Sequence, residues 1–96
     1  MTIRATKTTR VELDTDRTIE SGETIVVAAV VLANNSGSSE LVDFKNTDDD
    51  TFYLSVVVPS NSSIVVDEGF IAHEGLLIKT AASDVYATVM HSAGGA

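Results

Sequence analysis

The chain contains no cysteine and no tryptophan, a single proline, and only six lysines and arginines against 14 aspartates and glutamates. The missing cysteine rules out disulfides, zinc–thiolate centres and thiol nucleophiles. Stability in 96 residues must therefore come from one packed core, with association among copies as a further available source. With two tyrosines, three phenylalanines and no tryptophan, there is little on which a sugar ring could stack. A carboxylate pair for glycoside cleavage would lack its cleft. Bases are scarce and unevenly placed. Four of the six (Arg4, Lys7, Arg10 and Arg17) fall in the first 17 residues, leaving two bases against 11 acids in the remainder. The formal charge is −8, and an acidic body repels a phosphate backbone, so no nucleic-acid partner is expected. Long hydrophobic runs are absent too. The longest, Ile25 to Ala33, is nine residues, against about 20 for a membrane-spanning helix. Met1 to Arg10 is polar and lacks the apolar core of a signal peptide. The expectation is a soluble protein made in the cytoplasm, in which the Asn-x-Ser triplets at Asn34 and Asn61 carry no glycan.

What is abundant is β-branched sequence in short runs, punctuated by Ser, Asn, Asp and Gly. Ile3 to Leu13 alternates, with Ile3, Ala5, Val11 and Leu13 on one parity. Asp14 to Gly22 is polar and reads as a loop, with Arg17 salt-linked to Asp14 or Asp16. Thr24 to Ala33 is almost continuously apolar. Four valines and an isoleucine, no amphipathic stripe and a following Asn-Asn-Ser-Gly turn favour a strand over a helix. Leu41 to Lys45 places Val42 and Phe44 together. Thr51 to Val58 alternates with Phe52, Leu54, Val56 and Val58 on one face, and Pro59 to Ser63 ends it. Ile64–Val66, Phe70–Ala72, Leu76–Thr80 and Val85–His91 complete the series, the last with Val85, Ala87 and Val89 inward. About eight strands at this spacing predict an all-β antiparallel sandwich, with jelly-roll-like topology first and an immunoglobulin-like sandwich, weakened by the missing tryptophan and cysteines, second. A single domain is expected over residues 1–91, with 1–13 an N-terminal strand or arm and 92–96 a flexible tail.

No catalytic motif is present: there is no glycine-rich phosphate cradle, no His-Glu-x-x-His and no Gly-x-Ser-x-Gly. An enzyme is not expected, and neither is a cofactor. His73, in a turn beside Glu74, reads as a surface residue, and His91 as a half-exposed packing residue. Asp48, Asp49 and Asp50 are the one candidate cation site. Consecutive carboxylates point in different directions, however, and do not reproduce the spaced ligands of a calcium loop. Gly69-Phe70-Ile71-Ala72-His73-Glu74-Gly75-Leu76 reads as a corner where the chain changes sheets. Two features point to assembly. The strand containing Val26, Val30 and Leu32 is too apolar for one face of a small sandwich, which marks these residues for self-association. The basic arm, with Arg4, Lys7 and Arg10, is the candidate contact with an acidic partner.

The segments Pro59-Ser60-Asn61-Ser62-Ser63, Phe70-Ile71-Ala72-His73-Glu74-Gly75-Leu76, Ala81-Ala82-Ser83-Asp84 and Val89-Met90-His91-Ser92 carry a resemblance. In that order they resemble the closing half of small β-sandwich structural proteins of tailed phages. The resemblance covers about a third of the chain, and the N-terminal half does not share it. It implies a virion protein similar in kind to capsid decoration (cement) proteins: a homotrimer on the outer head surface that stabilises the shell. Arg4, Lys7 and Arg10 would then meet the major capsid protein, and no catalytic or cofactor residue carries over. A minor tail or fibre component would share the fold, and a cellular calcium- or carbohydrate-binding module is the reading outside that class.

Overall fold

In the computed structural model, residues 7–48, 51–80 and 84–92 are described. Ile3, Arg4, Ala5, Asp49, Asp50, the Ala81–Ser83 part of a predicted turn and the tail beyond Ser92 lie outside them. The described residues form nine strands and no helix. These are β1 (Lys7–Glu12), β2 (Arg17–Ile19), β3 (Ile25–Asn34), β4 (Glu40–Asn46), β5 (Phe52–Val58), β6 (Ser62–Val66), β7 (Phe70–Ala72), β8 (Leu76–Lys79) and β9 (Val85–His91).

They pack as two antiparallel sheets. One has the order β1-β9-β3-β6, with β7 also paired to β3, and the other has the order β2-β8-β4-β5. The pairing is nested: β1 with β9, β2 with β8, β3 with β6 and β7, β4 with β5. A single long hairpin, turned at β4–β5 and rolled up, gives this order, which is that of a jelly roll. The antiparallel sandwich read from the strand spacing is the fold observed. One additional strand, β2, lies within the stretch read as a loop. It is only three residues long, too short for alternation to show. It is held beside the salt link between Arg17 Nη2 and Asp14 Oδ1 at 2.8 Å, and Arg17 Nε also donates to the Glu12 carbonyl.

The core lies between the sheets and draws on both. Leu13, Ile25, Val27, Val30, Leu32, Val85, Ala87 and Val89 come from or adjoin the first sheet, and Val42, Phe44, Val58, Leu76 and Ile78 from the second. Alternation along each strand produces this, because successive side chains point to opposite faces.

Two irregularities break the alternation, and each moves residues to a different face from the one expected. In β3 the register with β9 shifts between Val27 and Ala29, so Ala28 is an extra residue and the parity changes across it. Ile25 and Val27 face inward before the bulge, and Val30, Leu32 and Asn34 after it. Val30 and Leu32 are therefore fully buried in the chain's own core, which corrects their expected role in self-association. Val26 keeps the opposite face. In β5 the register with β4 shifts so that Phe44 opposes Leu54 while Lys45 opposes Phe52. Tyr53 is the extra residue and packs against the core, whereas Phe52 is 57% exposed rather than inward.

Opposite the β3 bulge, the partner strand is itself interrupted. Val66 pairs with Val30 and Phe70 with Val27, leaving Asp67, Glu68 and Gly69 between β6 and β7 as an exposed acidic break.

Candidate assembly surface

Buried polar groups in this fold are committed to holding it together. Asn34 is fully buried, donating through Nδ2 to the carbonyls of Ser38 and Val58 while its Oδ1 accepts from the Ser36 backbone N–H and hydroxyl. It ties the β3–β4 turn to the end of β5. His91 is 1% exposed, not half-exposed as expected. Its Nδ1 lies 2.7 Å from the Ser92 carbonyl oxygen, which can only accept, so Nδ1 carries the proton. Nε2 is hydrogen-bonded to the Thr9 hydroxyl at 2.8 Å, fastening β1 to β9. Ser92 in turn exchanges hydrogen bonds with the backbone of Val26 on β3. His73 is exposed, its backbone N–H donating to the Tyr53 hydroxyl and its carbonyl accepting from Thr24.

The Gly69–Leu76 stretch does change sheets, from β7 in one to β8 in the other. Gly75 sits there at φ +89°, and a Cβ would lie 2.5 Å from the Glu20 carbonyl oxygen. Only glycine fits this corner. Around it Asn46 Nδ2 donates to Glu74 Oε2, Thr47 Oγ1 to the Glu74 carbonyl, and the Tyr53 hydroxyl to Asn46 Oδ1. Desolvation by burial is the main cause that raises the Tyr53 pKa above 10.0; Asp48 and Glu74 add to it. This network closes one end of the sandwich.

Asp48 is exposed, and one of its carboxylate oxygens accepts from the Thr51 N–H. Asp49 and Asp50 are outside the described residues. Among those described, no three His, Asp or Glu side chains come together as metal ligands, and no pocket opens.

The outward faces of the two sheets remain, and they differ. On the β2-β8-β4-β5 sheet, Lys79, Asp43 and Ser55 stand in one cross-strand row. The Ser55 hydroxyl donates to Asp43 Oδ1 at 2.6 Å, and Lys79 lies 3.8 Å from Asp16. In the next row Lys45 Nζ lies 4.3 Å above the Phe52 ring, and Leu41 pairs with Val57 at the far end. On the β1-β9-β3-β6 sheet, one outward row runs Val65, Val31, Thr88, Arg10 and another Ser63, Ala33, Tyr86, Glu12. Met90 lies between Ala29 and Thr8, and Ile71 lies beside Val26. Val65 is 63% exposed and Ile71 47%. Neither β3 nor β9 contributes any acidic residue or any lysine or arginine.

The residues expected to meet a partner do not act as one group. Val26 is on the apolar outward face, away from buried Val30 and Leu32. Lys7 and Arg10 differ in parity along β1 and point to opposite sides. Lys7 reaches Glu20 at 3.3 Å, and Arg10 lies 4.6 Å from the centre of the Tyr86 ring on the outward face. Arg4 lies outside the described residues. The sequence reading missed Val31, Val65, Ile71 and Met90 because the Ala28 bulge and the β6–β7 break hide their common face.

No protein-family model matches the chain, and neither a curated protein nor a solved structure is significantly similar to it.

Proposed function

We propose that this chain is a non-enzymatic structural protein of a phage virion, of the capsid decoration kind, which binds the outer head surface and stabilises the shell as a self-associated unit. The observation that carries the reading is the outward face of the β1-β9-β3-β6 sheet. It is apolar through its middle and without charge on its two central strands. An outer sheet face whose two central strands carry no charge is patterned for an interaction site rather than for solvent. The jelly-roll order agrees with this, since the architecture recurs in capsid proteins, though it also serves lectins and so does not decide function alone. The resemblance of Phe70–Leu76 and Val89–Ser92 to tailed-phage structural proteins supplies the virion context.

The partners are other copies of the chain and the major capsid protein. Co-sedimentation of the purified chain with heads stripped of accessory proteins tests the reading. Saturable binding, with a raised disruption temperature of the heads, is expected. Heads that leave the chain in the supernatant, or labelling confined to the tail in electron micrographs, would overturn the decoration role.

A further inference from the structure

The apolar face is bounded by opposite charges, and they indicate what covers it. Arg10 stands at the β1 edge, exposed, against the Tyr86 ring and without a carboxylate partner among the described residues. At the other edge Asp67 and Glu68 project from the β6–β7 break, exposed and without a cationic partner among the described residues. We propose that this face binds the same face of a second copy of the chain, the two related by a two-fold axis running along the strands. The inference rests on the assembly reading above and gives it a surface.

A two-fold axis in this direction exchanges the edges of the sheet. The β1 edge of one copy then lies over the β6–β7 edge of the other, with Arg10 in the row of the second copy's Val65 and Asp67 two residues further along that edge, so the opposite charges adjoin twice, once at each side. Glu12, in the row with Ala33 and Ser63, falls opposite Ser63, and no like charges face each other. Between the edges, β3 of each copy lies over β9 of the other, so that Val26 and Val31 pack against Tyr86, Thr88 and Met90 of the second copy, with facing strands aligned to within about 30°.

Charge selects the location as well. At a net −8, two copies repel over most of their surface, and close approach is least opposed where acids are absent, which is the β3–β9 centre of this face. The extent is sufficient but small. Four strands about 4.8 Å apart and a longest strand of about 33 Å give a projected face of roughly 600 Å² per copy. Two such faces total about 1,200 Å², the lower end of specific interfaces. A reversible dimer follows, in place of the three-fold unit implied by the phage resemblance.

The test is the solution mass of the full chain by light scattering and sedimentation over a concentration series at physiological salt. The wild type is expected to dimerise. Val65→Lys, at an exposed edge position that meets the partner's Arg10 row, raises the dissociation constant at least tenfold without altering the circular dichroism spectrum. Val57→Lys, equally exposed on the other sheet, leaves it unchanged. Arg10→Glu weakens the dimer, and adding Glu68→Arg to that variant restores it. A trimer, a monomer at every concentration, or an association indifferent to Val65→Lys would overturn the face-to-face contact. Head binding is measured separately, so the assembly reading can stand or fall without it.

Discussion

The two sheets of this sandwich are alike on their inner faces and unlike on their outer ones. Inside, both present alternating Val, Ile, Leu and Phe to one shared core. Outside, the β2-β8-β4-β5 sheet sets charged Lys79 and Asp43 in a row with Ser55, between exposed Phe52 and the exposed pair Leu41 and Val57, while the β1-β9-β3-β6 sheet sets Val65, Val31 and Thr88 in a row whose only charge is Arg10 at the edge. The fold requires the inner pattern, because each sheet must bury one face. It does not require a second apolar face. A sheet apolar on both sides is patterned for something beyond its own folding.

The comparison can be broken first at the core. Phe44 is fully buried on β4, and Phe44→Ala should cost about 4 kcal/mol through lost burial and the cavity left behind. If the sheets share one core, denaturant unfolding remains a single transition in both. The two tyrosines allow this to be seen: Tyr53 is on β5 of one sheet and Tyr86 on β9 of the other. Fluorescence from single-tyrosine variants should give coincident midpoints, and separated midpoints would show two independent layers.

A smaller effect is expected at the closed end of the sandwich. Tyr53→Phe removes the hydroxyl that bonds Asn46 and the His73 N–H, a loss of about 1 kcal/mol. The pH dependence has a definite sign. Because the folded Tyr53 pKa is raised above 10.0, chiefly by burial, its contribution is fully present below pH 10 and declines as pH rises towards the folded value. The gap between wild type and Tyr53→Phe should therefore narrow in alkaline chemical denaturation. A gap that widened above pH 10 would contradict the burial argument. The smallest effect belongs to the outer face that carries Lys79 and Asp43: Ser55→Ala removes an exposed hydrogen bond to Asp43 and should shift stability by less than about 0.5 kcal/mol.

Much of this architecture is legible in the residues. The inward sets Val42/Phe44 and Val85/Ala87/Val89 follow from strict alternation, and the buried state of each is as the spacing implies. The strand ends follow from turn residues, as at Asn34–Ser39 and Pro59–Ser63. Less legible was anything that depends on a bulge. Adding one residue reverses the face of every residue after it. TIVVAAVVLA gives no local sign that Ala28 is the extra one, since all its neighbours are also apolar. Val30 and Leu32 were thus grouped with Val26 although they point to opposite sides, and Phe52 was grouped with Leu54 for the same reason. The acidic break at Asp67–Gly69 was legible as a corner, but its position opposite Ala28 is a matter of long-range register. The partner surface, formed by residues far apart in sequence, depends on that register.

The nested order of strand pairs also bears on how the chain reaches this state. Among the paired strands, β4 and β5 are the pair closest in sequence; each further pair encloses the previous one, out to β1 with β9. Contacts of such large sequence separation must be formed against increasing loop-closure entropy, so folding is slow for the chain's size. The β4–β5 pair, with the smallest separation, is expected to form first and pairing to spread outward from it until β1 closes on β9. Opening follows the reverse course. The amides of β1 are then the first to exchange with solvent, and the strand that carries Arg10 is also the last to be secured.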